Sequence, residues 1–437
     1  MPRGGPRPAR RSLPGRKETS SMTPEALEAK IRADLDDWAS WLAYAEWLAR
    51  QGDVRGQLIH LEHRLATSPL TPKEYRQTAT QAEILVKRHQ DAWLHGSPPP
   101  QGLTLWWRGG FICKLEGLEH GPGIRELAPL LASPVTRMLT EVRWAAHDEL
   151  PEVLSLLVQR QVYTLDLARI DLRRPGAQLL ARCVVPPSVG ALWLGGNDLR
   201  DEGIAALAAA ETLHEVQHLS LKRNRVGPGG IESLVNSAHV AALRRLDLGF
   251  NRLGTKGTLI LTRSSALTKL RELNLYNNNI GPAGVLALVH PDSRLHALTR
   301  LDLERNSIGA DGVAALASSG LLSRLSLLNL ANNGLDADLV RRLARSSALP
   351  TLTTLNLGFN ALGDEGAIAV AQAGALAGLQ RLLLYGNDIG NRGAIALAQA
   401  SHLQGLSVLD LRDNRIGVEG RDALARSSTL RGCALSL

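Results

Sequence analysis

The chain has 437 residues, a formal net charge of +8, three cysteines and few aromatic side chains. The cysteines (Cys113, Cys183 and Cys433) are scattered with no C-x-x-C pair; this argues against a zinc ribbon or disulfide scaffold and for a reducing compartment, so a cytoplasmic location is expected. No run of about 18 apolar residues occurs, so no membrane span is expected.

Residues 1–21 are Pro, Arg, Gly and Ser with almost nothing apolar. They cannot build a core and are expected to be disordered. Arg3, Arg7, Arg10, Arg11, Arg16 and Lys17 stand there against Glu18 alone, so most of the net positive charge belongs to this tail. The remaining chain is nearly balanced, and no nucleic-acid partner is expected for it. No apolar stretch follows Arg10-Arg11, so a twin-arginine export signal is not expected. The tail is either a polybasic arm for phosphates or an extension ahead of a start at Met22, and the second reading is favoured.

Residues 22–97 read as a helical domain. Thr23-Pro24-Glu25 caps a first helix, a second runs from about Asp36 to Arg50, a third holds R-G-Q-L-I-H-L-E from Arg55, and Thr71-Pro72-x-Glu74 opens a fourth. Trp38, Trp41, Tyr44 and Trp47 recur at three-residue steps, which predicts a buried helical stripe. The phrase L-A-Y-A-E-W-L-A-R-Q-G-D-V-R-G-Q-L-I-H-L (42–61) resembles the bacterial repeat-companion domain, with Glu46 where that family usually has Asp. The resemblance implies a small helical module ahead of repeats in a bacterial protein, and no activity. Residues 98–161 read as a linker with degenerate capping units. Pro98-Pro99-Pro100 marks the boundary, L-W-W-R-G-G-F-I (105–112) a strand with a Gly-Gly turn, and M-L-T-E-V-R-W (138–144) a strand before a helix.

From about Val162 one phrase repeats: Leu-x-x-Leu-x-Leu-x-x-Asn-x-Leu. Its Asn recurs at 197, 224, 251, 278, 306, 333, 360, 387 and 414, in steps of 27 residues with a single step of 28. Counting back one step reaches Ile170 in an otherwise intact phrase, so 162–437 holds ten units. Leu-x-Leu alternates with period two, which puts both leucines on one side of a short strand. The Asn turns the chain, and its amide can pair backbone groups that the turn leaves open. Six residues on, a Gly opens an Ala/Leu run with helical spacing, as in G-V-A-A-L-A from Gly312. The phrase resembles the leucine-rich repeat, and its length resembles the ribonuclease-inhibitor class. The resemblance implies an α/β solenoid, a horseshoe with parallel strands inside and helices outside, preceded here by the small helical domain. The final Ala434-Leu435-Ser436-Leu437 supplies one more strand with nothing beyond it, which leaves that end poorly capped.

H-E-V-Q-H (214–218) matches a zinc-protease signature, which needs both histidines on one helical face. Here the repeat register carries the motif into a strand, so no metal is expected. V-G-P-G-G-I-E (226–232) lacks the Lys-Ser/Thr of a phosphate loop. Asp166, Asp247, Asp302 and Asp410 recur one residue after the first strand Leu and read as a ladder pairing with neighbouring side chains. No catalytic constellation, cofactor or small-molecule substrate is expected.

The concave side carries the informative set. Trp193, Phe250, Tyr276, Phe359 and Tyr385 all fall at outward positions, and only Tyr163 completes the aromatics of 158–437. Rigid amphipathic rings on an outer face suit interface anchors. Cations share that side: Arg223, Arg245, Arg300, Arg305 and Arg381, with Lys222 and Arg412, and the acids Asp247, Glu304 and Asp410 between them. Phe250 to Phe359 and Tyr276 to Tyr385 are each 109 residues, or four units, apart. The expected function is a non-enzymatic protein-interaction scaffold whose partner docks on the concave face. The alternative is a regulator of a small GTPase or other signalling enzyme, resting on fold analogy alone.

Overall fold

The computed structural model describes residues 22–94, 102–117, 124–344, 349 and 351–437. The basic tail and the Pro98–Pro100 boundary lie outside the described residues. The chain divides into two compact units, Met1–Leu165 and Asp166–Leu437.

Four helices open the first unit: α1 (Pro24–Ala33), α2 (Trp38–Arg50), α3 (Arg55–Thr67) and α4 (Pro72–Trp93). Thr23 caps α1 and Asp37 caps α2, each accepting from a backbone N–H, and Thr71 with Glu74 makes a reciprocal capping box on α4. Leu27, Ile31, Trp41, Tyr44, Leu48 and Ile59 form one core cluster, with Trp38 and Trp47 only partly buried against it. That cluster also holds Phe111 and Cys113 from β2 (Phe111–Gly117), which pairs antiparallel with β1 (Leu103–Arg108). Helices and hairpin therefore share a core. The Gly109-Gly110 turn has φ of +57° and +76°, and a Cβ on Gly109 would come within 2.7 Å of Ile59 and 2.8 Å of Trp41. The Gly109 N–H donates to Glu62 on α3 at 2.9 Å, which seats the turn. β3 (Glu141–Trp144) then pairs parallel with β2; α5 (Ile124–Ala132) precedes it in the chain, and α6 (Leu150–Leu157), β4 (Thr164–Asp166) and α7 (Arg173–Arg182) follow.

The 42–61 phrase builds this body. Tyr44 donates to Glu28 at 2.6 Å and accepts from Arg137 at 3.2 Å. Asp53 accepts from the Arg55 N–H at 2.9 Å, and the buried Arg55 guanidinium lies 4.6 Å from the Phe111 ring centre.

The second unit repeats one coil of strand, Asn turn and helix. Strands β5 (Ala191–Trp193), β6 (His218–Ser220), β7 (Arg245–Asp247), β8 (Glu272–Asn274), β9 (Arg300–Asp302), β10 (Leu327–Asn329), β11 (Thr354–Asn356), β12 (Arg381–Leu383), β13 (Val408–Asp410) and β14 (Ala434–Ser436) pair parallel in chain order. The register holds equivalent positions abreast, so Leu219, Leu246, Leu273, Leu301 and Leu328 form one buried row. Three-residue strands could not hold a sheet alone; the shared leucine core and the Asn ladder hold it.

Each ladder Asn serves the unit before it. Asn197 accepts from the Ile170 N–H at 2.9 Å and donates to the carbonyls of Leu167 at 2.7 Å and Leu194 at 3.0 Å. The Asn197 N–H in turn donates to Asn224 at 2.9 Å, and the same bond recurs as far as Asn387 and Asn414 at 3.0 Å, except at the step to Asn278, which accepts from the Leu253 N–H instead. The Ile170 N–H is paired by Asn197, so that unit needs no Asn of its own for this bond.

The Ala/Leu run that the recurrent Gly opens is helical, as the spacing predicts, but the helix begins two or three residues before the Gly. Gly203 and Gly257 are the fourth residues of α8 (Arg200–Ala208) and α10 (Gly254–Thr262). The helix starts earlier, and the Gly marks close packing between coils: a Cβ on Gly393 would meet the Ala367 Cβ at 2.8 Å. H-E-V-Q-H is not helical. His214 follows a short 3-10 turn (Glu211–Leu213), Val216 is buried, and His218 opens β6. V-G-P-G-G-I-E leads into α9 (Pro228–Val235), and the Gly227 N–H already donates to the Asp201 carboxylate at 2.6 Å.

Candidate interaction face

The side chains that alternate with the buried leucines line the opposite face of the strands. Nearest the strand, Asp and Asn recur one residue after the first buried Leu. Asp247, Asn274, Asp302, Asn329, Asn356 and Asp410 each accept from the backbone N–H two residues on, at 2.8–3.1 Å. The expected side-chain ladder is therefore mainly a row of Asx turns, which pair an N–H where the strand ends.

Four of the five predicted rings form two matching pairs. Phe250 and Tyr276 meet edge to face with centres 4.4 Å apart, and Phe359 and Tyr385 do so at 5.1 Å. Each pair takes its Phe from the residue before a ladder Asn and its Tyr from the next unit. Phe250 and Phe359 have φ of +56° and +49°, the left-handed turn that the repeat takes at this position also at Arg223, Asn277, Arg305 and Asn332. Glycines make room for the second pair: a Cβ on Gly358 would lie 2.3 Å from the Tyr385 ring, and one on Gly386 would lie 2.4 Å from Phe359. Tyr385 also accepts from Asn356 at 3.1 Å. Phe359 remains 51% exposed and Trp193 48%, while Phe250, Tyr276 and Tyr385 are half-buried. Trp193 joins neither pair.

Of the predicted cations, Arg412 pairs with Asp410 at 2.6 Å, and the other six divide into three groups. The Arg223 guanidinium sits 4.4 Å from the Phe250 ring centre, and the Lys222 ammonium lies 5.6 Å from Phe250 and 5.9 Å from Tyr276. Arg245 and Arg300 flank Glu272 in register and pair with it at 2.7 and 3.7 Å. Arg305 and Arg381 are exposed.

Sequence reasoning passed over Glu272 and gave Asp302 no role beyond the carboxylate row. Glu272 was detectable, because it stands in the same repeat column as Arg245 and Arg300. Asp302 was visible only as one carboxylate of the row. Its carboxyl is pushed up by burial; bonds from the Glu304 N–H and Asn329 oppose this, and the Glu304 and Asp247 charges add to it. Glu304 accepts from Asn329 at 3.1 Å. Among the described residues neither Asp302 nor Glu304 has an ion-pair partner, and neither do Lys222 and Arg223.

Residues 190–208, 266–289, 295–317, 348–371, 379–398 and 402–425 match the family described as Leucine Rich repeat. These segments are leucine-rich repeats. The matched repeats contain Trp193, Tyr276, Phe359 and Tyr385, while Phe250 lies in an unmatched unit on the same Asn ladder. An internalin (inlF) from Listeria monocytogenes str. 4b F2365 is similar in structure, with 19% sequence identity and a TM-score of 0.44, over 74% of this chain and 86% of that one. No curated protein sequence matches the chain. Among the described residues no helix is long and apolar enough to cross a membrane.

Proposed function

We propose that the leucine-rich-repeat unit is a non-enzymatic scaffold that binds a protein partner across its strand face. The observation that carries this is the doubled ring pair. Two Phe–Tyr pairs of one design stand four units apart on an open face. Core packing does not call for rings there, because the buried rows are filled by leucine. Large rings with few rotatable bonds are the side chains on which interfaces concentrate their energy. The face is open and broad, which suits a macromolecule better than a small substrate. Residues 22–97 are read as a bacterial repeat-companion module whose shared phrase is structural. The setting inferred from the scattered free thiols is cytoplasmic.

The test is to capture a partner from native lysate with the full chain and measure its affinity for Phe250→Ala, Tyr276→Ala, Phe359→Ala and Tyr385→Ala. At least one ring variant is expected to lose about 2 kcal/mol or more of binding while remaining folded. Glu365→Ala is the control; it removes exposed ion pairs to Arg341 and Arg392 on the helices and should leave affinity unchanged. Wild-type affinity in all four ring variants would exclude this face as the site.

A further inference from the structure

The two ring pairs share a geometry but not an electrostatic setting. Lys222 and Arg223 project over the first pair, and among the described residues no carboxylate pairs with either. The unit that precedes the second pair has Ala331 and Asn332 at the two equivalent positions. Acids stand between the two ring pairs instead, on the strand next to that of Tyr276, and their charge reaches the second pair: the Tyr385 hydroxyl is pushed up first by burial, with Glu304, Asp410 and Asp302 adding to it against the bond from Asn356. Asp410 is neutralised by Arg412, which donates to it at 2.6 Å, whereas Asp302 and Glu304 are left to Asn329 and backbone donors. Arg305, Arg381 and Asp247 stand singly on the face, whereas Lys222 with Arg223 forms one neighbouring cation pair and Asp302 with Glu304 one neighbouring acid pair, neither matched by an ion-pair partner among the described residues. Lys222, Asp302 and Glu304 are partly buried and Arg223 is exposed; unpaired charges in partly buried positions cost stability unless something neutralises them.

The spacing of these two patches is set by the sheet. Lys222 follows β6, and Asp302 ends β9, three hydrogen-bonded strand steps away. At about 4.8 Å per step the patches lie about 14 Å apart, with the Phe250–Tyr276 pair between them and the Phe359–Tyr385 pair beyond. An extended chain advances about 3.3 Å per residue, so about four residues bridge that distance.

Resting on the scaffold reading above, we propose that the strand face reads one extended polypeptide segment that carries an acidic side chain and a basic side chain about four residues apart. The acid meets Lys222 and Arg223, the base meets Asp302 and Glu304, and apolar side chains of the segment rest on the two ring pairs. The segment runs across the strands, so its backbone is not an added strand. Affinity comes from the rings, and the charges fix register and direction.

The test is to pan a phage library of random twelve-residue peptides against the full chain and against two charge-reversed forms. One form has Lys222→Glu and Arg223→Glu; the other has Asp302→Asn and Glu304→Lys. Asp302→Asn installs the amide already present at Asn274, Asn329 and Asn356, so the Asx turn is kept. Circular dichroism melts verify folding. The wild-type chain should enrich peptides with Asp or Glu three to five residues from Lys or Arg and apolar residues beside them. The first reversed form should exchange the acid for a second base, and the second form the base for a second acid. Each wild-type peptide should bind the reversed forms about tenfold or more weaker. Enrichment with no such charge pair, or one unchanged by the reversals, overturns the proposal. So does a failure to enrich any peptide while a captured partner still depends on the rings; that result would leave the scaffold reading standing with a folded epitope in place of a segment. Loss of the ring dependence itself would mark failure of the scaffold reading.

Discussion

Burial raises the Asp302 carboxyl above the ordinary carboxylate range, against the pull of its hydrogen bonds from the Glu304 N–H and Asn329, and the charges of Glu304 and Asp247 push it further. The folded protein therefore holds this proton more tightly than the unfolded chain does. Such a group contributes stability at low pH, and that contribution is lost as pH rises through the ordinary carboxylate value and the raised one above it. At neutral pH the charge is a net burden on the fold. Asp302→Asn keeps the acceptor for the Glu304 N–H and removes the charge, so it should unfold at higher temperature than wild type at pH 7. The gain should vanish at about pH 3, where the wild-type carboxyl is protonated. Melts at the two pH values give the comparison, and equal melting temperatures at pH 7 would show that the carboxylate is already well compensated.

Elements in this chain are joined at points where a side chain is missing. Gly56 lies on α3 against α2, and a Cβ there would stand 2.6 Å from the Ala45 carbonyl oxygen. Backbone cannot yield as a flexible side chain can, so Gly56→Ala must separate the helices. The expected cost is about 1–3 kcal/mol, read as a fall in the urea midpoint of the chain. The neighbouring Arg55, buried against Phe111, ties the same helix to the hairpin, so the separation should also loosen β2. An unchanged midpoint would mean that the two helices slide at no cost. The ring pairs follow the same rule, since Gly358 and Gly386 leave the space that Tyr385 and Phe359 fill.

Across the whole repeat array, stability is passed from one coil to the next, because each Asn amide completes the preceding unit. Asn278 is 1% exposed and donates to the carbonyls of Leu248 at 2.8 Å and Leu275 at 3.1 Å, while accepting from the Leu253 N–H at 3.3 Å. Asn278→Ala leaves these buried groups unpaired and should cost about 1–3 kcal/mol. Hydrogen exchange should locate the damage in the units of Asn251 and Asn278, with α1 to α4 retaining their protection. Uniform loss over the chain would mean that the array unfolds only as one body, and no loss would mean that water replaces the amide.

The sequence by itself determined the period, the strand leucines, the Asn ladder and the outward placement of the five rings. Those are local consequences of an alternation of two and a step of 27 or 28 residues, so counting is enough to find them. It also showed the starts of α1 and α4, because Thr23 and Thr71 cap through bonds to residues only three positions away. Tertiary structure alone decided which of these groups meet. Phe250 finds Tyr276, Glu272 neutralises Arg245 and Arg300, and Asp302 is left without a cation. Each outcome depends on how far a side chain reaches across neighbouring strands and on how much water remains around it. Residues a whole unit apart in sequence are abreast in the sheet, and one repeat column can therefore hold both a paired charge and an unpaired one.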